Sequence, residues 1–558
     1  MRISRRAMMA RAGMAAAGVK LSGLNSLRAM GQVVGASATG APRPIAAGPF
    51  QPTWESLKTQ RIPDWFRDAK FGIWAHWSAQ CVPEHGDWYA RRMYMQADDC
   101  YNFHVERYGH PSKFGFMEID NLWKADHWSP EELMQLYSKA GAKYFMALAN
   151  HHDNFDCFDS KHHAWNSTKI GPKRDIVGMW RKVVREHGLK FAVSNHSAHT
   201  WHWFQTAYDY DAVGPMAGKR YDAYTLTKAD GVGKWWDGLD PQELYGGRHL
   251  VAPDGLDAKG LKLQEDSTTK GWPEYPPAND PAYVEKWFLR CKDLMDSYEP
   301  DLVYFDDTEL PLGQAGLDVA AHYYNRSIAK HGKLEAVITA KQFTPEHLGA
   351  TVLDIERGRA EGILAEPWQT DTCLGDWHYD RRIYERRGYK TAKAVIQTLV
   401  DIVSKNGNLM LNVPVRGDGS IDEEEHSIVE SIGEWMQMHG EGIYGTRPFT
   451  IFGEGAAVVS GPQMFNESKA RALDASDIRF TKKGDTLYAF VMGWPADGKL
   501  TIRSLGKSKN LLPRGVKHVN MLGESSSLKF DYTQEALVIR LPEQAPHELG
   551  AYGFKIRN

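Results

Sequence analysis

The chain has 558 residues, 42% apolar and 25% charged, with 67 basic against 70 acidic side chains and a net charge of −3. That composition excludes intrinsic disorder and collagen-like folds, and the charge balance lacks the positive excess of a nucleic-acid binder. The length predicts two to four domains, or one large barrel with a smaller module. The 19 Trp and 22 His are unusual, and abundant Trp suits stacking on a flat ligand.

The N-terminus predicts export. Ser4-Arg5-Arg6 precedes a weakly apolar, Ala/Met-rich stretch, the pattern of a twin-arginine signal, and implies a periplasmic protein. Residues 1–48 read as signal and linker, with Ala36-Ser37-Ala38 as a cleavage site. Arg11 and Lys20 make the stretch a poor anchor, and no later run reaches the roughly 18 apolar residues of a membrane span. The cysteines Cys81, Cys100, Cys157, Cys291 and Cys373 form no Cys-x-x-Cys pair, so neither a zinc ribbon nor a disulfide scaffold is expected.

From 49 to 446 one theme repeats: a β-rich run ends in polar residues, and a helix-compatible stretch usually follows. The runs are FGIWAHW from Phe71, KYFMALANHH from Lys143, LKFAVSNHS from Leu189 and DLVYFDD from Asp301. EAVITAK from Glu335, VLDIERG from Val352, GILAEPWQT from Gly362 and NLMLNVP from Asn408 complete the series. SPEELMQLYSKAG and DIVGMWRKVVREHG carry helical spacing, with Gly141 and Gly188 placed as C-terminal caps. Apolar strands alternating with helices predict an α/β fold, a (β/α)8-like barrel with its polar strand ends at one rim. A segment at about 204–280 breaks the rhythm and predicts an insertion over the barrel mouth. From 447 to 558 short alternating strands predict a C-terminal β-sandwich domain, without a chemical constellation.

The strand ends assemble His76, Asn150-His151-His152-Asp153, Asn195-His196, Asp306-Asp307, Lys341, Glu356 and Glu366. Imidazoles suit hydroxyls, indoles stack on a sugar face, and a carboxylate pair cleaves an acetal. Asp306 and Glu356 each end an apolar strand and form the candidate pair. A metal-dependent hydrolase using His151, His152 and Asp153, or the region of His196, His199 and His202, is the alternative. The last three step by three residues, as on one face of a tight helix. A sugar-binding protein that has lost catalysis is a further alternative, against which both carboxylates are present.

The motifs WFRDAKFGIWAHW, GDWYARRMY, AKYFMALANHHDNFDCFDS, HAWNSTKIGPKRDIVG, DLVYFDD, PWQTDTCLGDWHY and IVSKNGNLMLNVP resemble the α-L-fucosidases of glycoside hydrolase family 29. The resemblance runs from about Pro52 to Pro414. It implies an exo-acting, retaining enzyme that needs no cofactor or metal, releases L-fucose from fucosylated glycans, and carries a barrel followed by a β-sandwich. It implies Asp306 as nucleophile. Counting back from Pro367-Trp368-Gln369 implies Glu356 as acid/base, with Glu366, Glu361 and Asp354 as rivals. His76, Trp88, His151 and His152 match the family's sugar-binding positions, and His196, Tyr304, Lys341 and Trp368 complete the expected set. Tyr304 stands where the family often has Trp, Lys341 where Arg is common, and Gln369 where Glu is frequent. Ser194-Asn195-His196 replaces a Tyr-rich strand end. These changes cluster at the rim, so linkage preference and the sugar itself, including a sulfated one, stay open.

Overall fold

The computed structural model describes residues 42–270, 280–455 and 464–557. The export signal, including Ser4-Arg5-Arg6 and Ala36-Ser37-Ala38, lies outside the described residues, as do positions 271–279 of the insertion.

Eight strands form one parallel sheet: β1 (Phe71–Ala75), β2 (Tyr144–Asn150), β3 (Lys190–Asn195), β4 (Leu302–Thr308), β5 (Val337–Lys341), β6 (Val352–Leu353), β7 (Trp368–Cys373) and β8 (Gly407–Asn412). Their order is β6-β5-β4-β3-β2-β1-β8-β7. The ends meet just beyond β6, where Asp354 bridges Gln369 and the Ile355 N–H donates to the Gln369 carbonyl at 2.9 Å, so the sheet curls into a nearly closed barrel. The seventh strand differs from expectation. Gly362–Ala365 is not strand, and Ile363 is 37% exposed; β7 starts at Trp368.

Helices follow β1 to β4, at Pro130–Lys139, Ile176–Glu186, Pro281–Tyr298 and Gln314–His331, and follow β7 and β8, at Ala392–Ser404 and Glu423–His439. The links from β5 to β6 and from β6 to β7 carry no helix. Local chemistry sets these helices. Ser129 caps the first, with Pro130 in its opening turn, and Leu133, Met134, Leu136 and Tyr137 form its buried stripe. Asp175 caps the second by accepting from the Gly178 N–H at 2.9 Å. Gly141 and Gly188 have φ of 94° and 70°, the left-handed conformation that ends a helix after its cap.

The period of two along each strand decides what faces the lumen. In β4, Val303 and Phe305 pack outward in the core shared with the helices, whereas Leu302 and Tyr304 pack inward with Trp74, Tyr144, Met146, Ala192, Val337, Val352 and Met410. The same parity leads, through Leu148, Ser194, Thr339 and Asp354 on four of the strands, to His76, Asn150, His196, Asp306, Lys341 and Glu356. The apolar plug therefore ends where the polar rim begins.

Beyond the barrel, β9 (Arg447–Glu454), β10 (Ile478–Lys483), β11 (Thr486–Val491), β13 (His518–Met521) and β16 (Tyr552–Arg557) form a five-stranded sheet of order β13-β16-β11-β10-β9. β12 (Lys499–Ile502), β14 (Phe530–Tyr532) and β15 (Leu537–Arg540) form a three-stranded one. All these pairings are antiparallel, and the sheets enclose their own apolar core around Phe480, Leu487, Ile502, Leu537 and Phe554. The five cysteines are free and buried. No described helix is long and apolar enough to cross a membrane.

Candidate active site

Asp306 stands at the centre of the rim. Its Oδ2 lies 3.2 Å from His196 Nδ1 and 3.3 Å from His152 Nε2, and its Oδ1 lies 2.5 Å from Lys341 Nζ. Burial opposes ionisation, but the Lys341 cation and the two imidazole hydrogen bonds hold the carboxyl well below the usual carboxylate range. Lys341 Nζ also lies 2.5 Å from Glu356 Oε2. Since both oxygens touch one nitrogen, they are no more than about 5 Å apart, the span of the carboxyl pair in retaining glycosidases. Burial is the main force on Glu356 and, helped by the anions of Asp371 and Asp306 against the pull of Lys341, pushes its carboxyl up to about 7. Burial works against the charge of Lys341, yet the flanking carboxylates raise its affinity for the proton well above normal. The arrangement holds one ionised and one protonatable carboxyl at neutral pH. Their side chains keep 23% and 15% exposure, so both remain reachable from the mouth.

The imidazoles form a continuous cluster. His76 lies 5.1 Å from both His151 and His196, His151 lies 4.3 Å from His152, and His152 lies 5.0 Å from His199, between ring centroids. Gln80 Nε2 lies 2.7 Å from His151 Nδ1, and His152 Nδ1 lies 2.9 Å from the His196 carbonyl oxygen. Burial drives the proton affinity of His76 and His151 well below normal and that of His196 to about 4, so these rings are neutral hydrogen-bonding groups. Trp88, in a left-handed conformation at φ 61°, packs against Trp203 and 6.3 Å from His152.

The structure separates other expected residues from this group. Trp368 occupies an outward position of β7. Its indole N–H donates to the Lys405 carbonyl at 2.9 Å, and its ring packs against Gly407 in the outer core, so it is not a sugar-binding residue. Tyr304 lies one layer below the rim; its hydroxyl donates to Asp371 Oδ2 at 2.8 Å, and its ring supports Lys341 from 5.4 Å. Of the acid/base rivals, Glu361 and Glu366 are exposed on the β6–β7 link. Asp354 is buried beneath the rim, where Gln369 Nε2 donates to it at 2.6 Å, and burial beside Asp371 raises it well above the carboxylate range.

Ring nitrogens of His151, His152 and His196 lie within 4.8 Å of one another, as do those of His76, His151 and His378. Each trio has the ligand count of a divalent-cation site. Asp153 belongs to neither. It accepts from the Phe155 N–H at 3.1 Å, and burial pushes its carboxyl up to about 7.

Two contributors, His378 and Glu467, escaped the sequence reading, and a third, His199, entered it only in the metal-dependent alternative. His199, on the tight turn Ser197–His199, lies 2.7 Å by its Nε2 from the Asp306 carbonyl oxygen and 3.2 Å from Asp307 Oδ1. His378 joins the imidazole cluster from the loop after β7. The C-terminal part supplies Glu467, whose Oε1 accepts from Arg357 Nε at 2.7 Å, while the Phe465 N–H donates to the Glu356 carbonyl at 2.9 Å. The segment carrying Glu356 is thus clamped from outside the barrel.

The insertion walls the mouth. Trp203 lies 5.5 Å from His152, and Asn154 Nδ2 donates to the carbonyls of Glu243 and Leu244 at 2.8 and 3.1 Å. Arg91, buried, donates to the Glu265 carbonyl and Thr268 Oγ1 at 2.7 and 2.6 Å. Trp201 stacks on His249 and Trp236 is core, whereas Trp235 is 39% exposed.

A buried ion pair supports this half of the site. Arg290 donates to both Asp156 oxygens, at 3.1 and 2.6 Å, and to Asn154 Oδ1 at 2.6 Å. Asn150 Nδ2 donates to Asp156 Oδ1, and Asn150 Oδ1 accepts from the His196 N–H. Arg290→Met leaves an unpaired buried carboxylate and is expected to cost about 3–5 kcal/mol of stability, read by chemical denaturation. A loss below about 1 kcal/mol would contradict this support role.

The alpha-L-fucosidase family model matches residues 38–441, and the alpha-L-fucosidase C-terminal domain model matches 474–557. Over 510 residues the chain is 25% identical to tissue alpha-L-fucosidase of Rattus norvegicus, covering 90% of each chain. The Homo sapiens tissue enzyme is 24% identical over 511 residues, again covering 90% of each. The alpha-fucosidase of Thermotoga maritima, solved in complex with fucose, superposes with a TM-score of 0.64 at 25% identity, covering 91% of this chain and 100% of that one. A trapped covalent intermediate of a GH29 alpha-L-fucosidase from Bacteroides thetaiotaomicron shares the fold, with a TM-score of 0.56 at 16% identity over 88% of this chain and 95% of that one. The chain belongs to the alpha-L-fucosidase family of glycoside hydrolases.

Proposed function

We propose that the protein is an exo-acting, retaining α-L-fucosidase that releases L-fucose from fucosylated oligosaccharides. The observation that supports this most is Lys341, which bridges Asp306 and Glu356 a short distance apart while its charge keeps Asp306 ionised and burial keeps Glu356 protonatable. Asp306 attacks the anomeric carbon while Glu356 gives its proton to the departing glycosidic oxygen. The bond to the aglycone breaks, and a fucosyl ester of Asp306 forms. Glu356, now a carboxylate, takes a proton from water; the water oxygen displaces Asp306, and fucose leaves with its configuration retained. Neutral His76, His151 and His196 hold ring hydroxyls, with His152 and Trp88 beside them. The Ser4-Arg5-Arg6 start supports export to the periplasm. The change from parallel to antiparallel strands supports a boundary near 447 between a catalytic barrel and a β-sandwich domain.

Glu356→Ala separates the two chemical roles. It is expected to cost at least about 100-fold on a natural glycoside, but far less in fucosylation of the enzyme by an aryl fucoside with a good leaving group. Azide should accelerate the second step for that variant by displacing Asp306 from the ester and give an α-fucosyl azide, with configuration retained. Equal losses on both substrate types would assign the acid to another residue. EDTA in the same assay tests the imidazole trios: turnover is expected to survive it, and loss of turnover would support the metal-dependent reading.

A further inference from the structure

We propose that His378 binds the sugar directly and selects for one particular ring hydroxyl, together with His76 and His151. The inference rests on the fucosidase reading and extends it to a residue outside the strand ends.

His378 is fully buried, on the loop between β7 and the helix Arg381–Glu385. Its backbone N–H donates to Asp87 Oδ1 at 2.8 Å, which fixes the loop one residue before Trp88. Its ring stands edge-to-face on His76, at 4.7 Å and 89°, and on His151, at 4.8 Å and 90°. Neither ring nitrogen has a hydrogen-bond partner, and Nδ1 lies 3.7 Å from Asp87 Oδ1, too far for a bond. Both ring nitrogens of His76 are also unpartnered. A fold that only needed to fill this space would do so with an apolar ring and avoid the desolvation penalty. One nitrogen from each of His76, His151 and His378 lies within 4.8 Å of the others. An oxygen placed among them at about 2.8 Å from each nitrogen spans that separation. A neutral imidazole donates from one nitrogen and accepts at the other, so the trio matches a hydroxyl, which also does both. A site built to bond a hydroxyl rejects a ligand that lacks it, because its own polar groups are then left unpaired.

The test compares wild type, His378→Ala and His378→Gln with an aryl α-L-fucoside and its 2-, 3- and 4-deoxy analogues, by kcat/KM. L-Fucose and the deoxy sugars are measured alongside by calorimetry. Wild type should lose about 10- to 100-fold on one deoxy analogue through this contact. His378→Ala should lose a similar factor on the parent fucoside while handling that one analogue as wild type does. His378→Gln, which keeps an amide donor and acceptor, should recover part of the discrimination. A uniform loss on all four substrates, or none, overturns the inference while leaving the fucosidase reading intact. Failure of wild type to bind or hydrolyse any of them overturns both.

Discussion

Asp306→Gly should lower kcat/KM on an aryl α-L-fucoside by about 10⁴-fold or more, because it removes the carboxylate that forms the glycosyl ester. Three donors converge on this carboxylate: Lys341 on Oδ1, and His152 and His196 on Oδ2. They keep it ionised in a partly desolvated setting and fix the oxygen that attacks. Glycine removes the carboxylate and leaves space for a small anion, so azide or formate should restore part of the turnover. A residual activity within tenfold of wild type would show that Asp306 is not the nucleophile.

Lys341→Met carries the second large effect. The substitution nearly keeps side-chain length and leaves two carboxyl oxygens no more than about 5 Å apart with no cation between them. Lys341 lowers the proton affinity of both Asp306 and Glu356, so its removal raises both. Activity requires Asp306 ionised and Glu356 protonated. The acid limb of the pH profile follows Asp306 and should therefore move to higher pH. The alkaline limb follows Glu356, which starts near 7, and should also move up. The optimum shifts alkaline as the maximal rate falls by about 100-fold. Lys341→Arg keeps the charge and should retain more of the wild-type shape, though its planar fork cannot reproduce one nitrogen touching both carboxyls. An unchanged profile in Lys341→Met would remove Lys341 from the catalytic group.

Much of this site was legible in the chain. Seven of the eight apolar runs fall on barrel strands and the eighth precedes one, so Asp306, His76 and His196 were visible as strand-end residues. Trp368 was misplaced because motif adjacency was followed instead of side-chain parity. Gln369 and Asp371 face the lumen, which puts Trp368 among the helices. The start of β7 was misjudged because Gly362–Ala365 is apolar but lies on an exposed link. His378 and Glu467 were invisible to a search of strand ends: one sits on a loop past β7, and the other comes from a segment outside the barrel. His199 was read only as part of a metal-binding alternative in a His-x-x-His-x-x-His run, yet the tight turn that the spacing implied carries it to the backbone of Asp306.

The covalent step is the central claim, and trapping tests it most directly. The protein is treated with a 2-fluoro-fucosyl fluoride, whose fluorine slows hydrolysis of the ester more than its formation, then digested and read by mass spectrometry. The account predicts one 2-fluorofucosyl group, on the peptide bearing Asp306, and none in Asp306→Gly. Rapid turnover of aryl fucosides with an inverted first product, or a label on any other carboxylate, would contradict it.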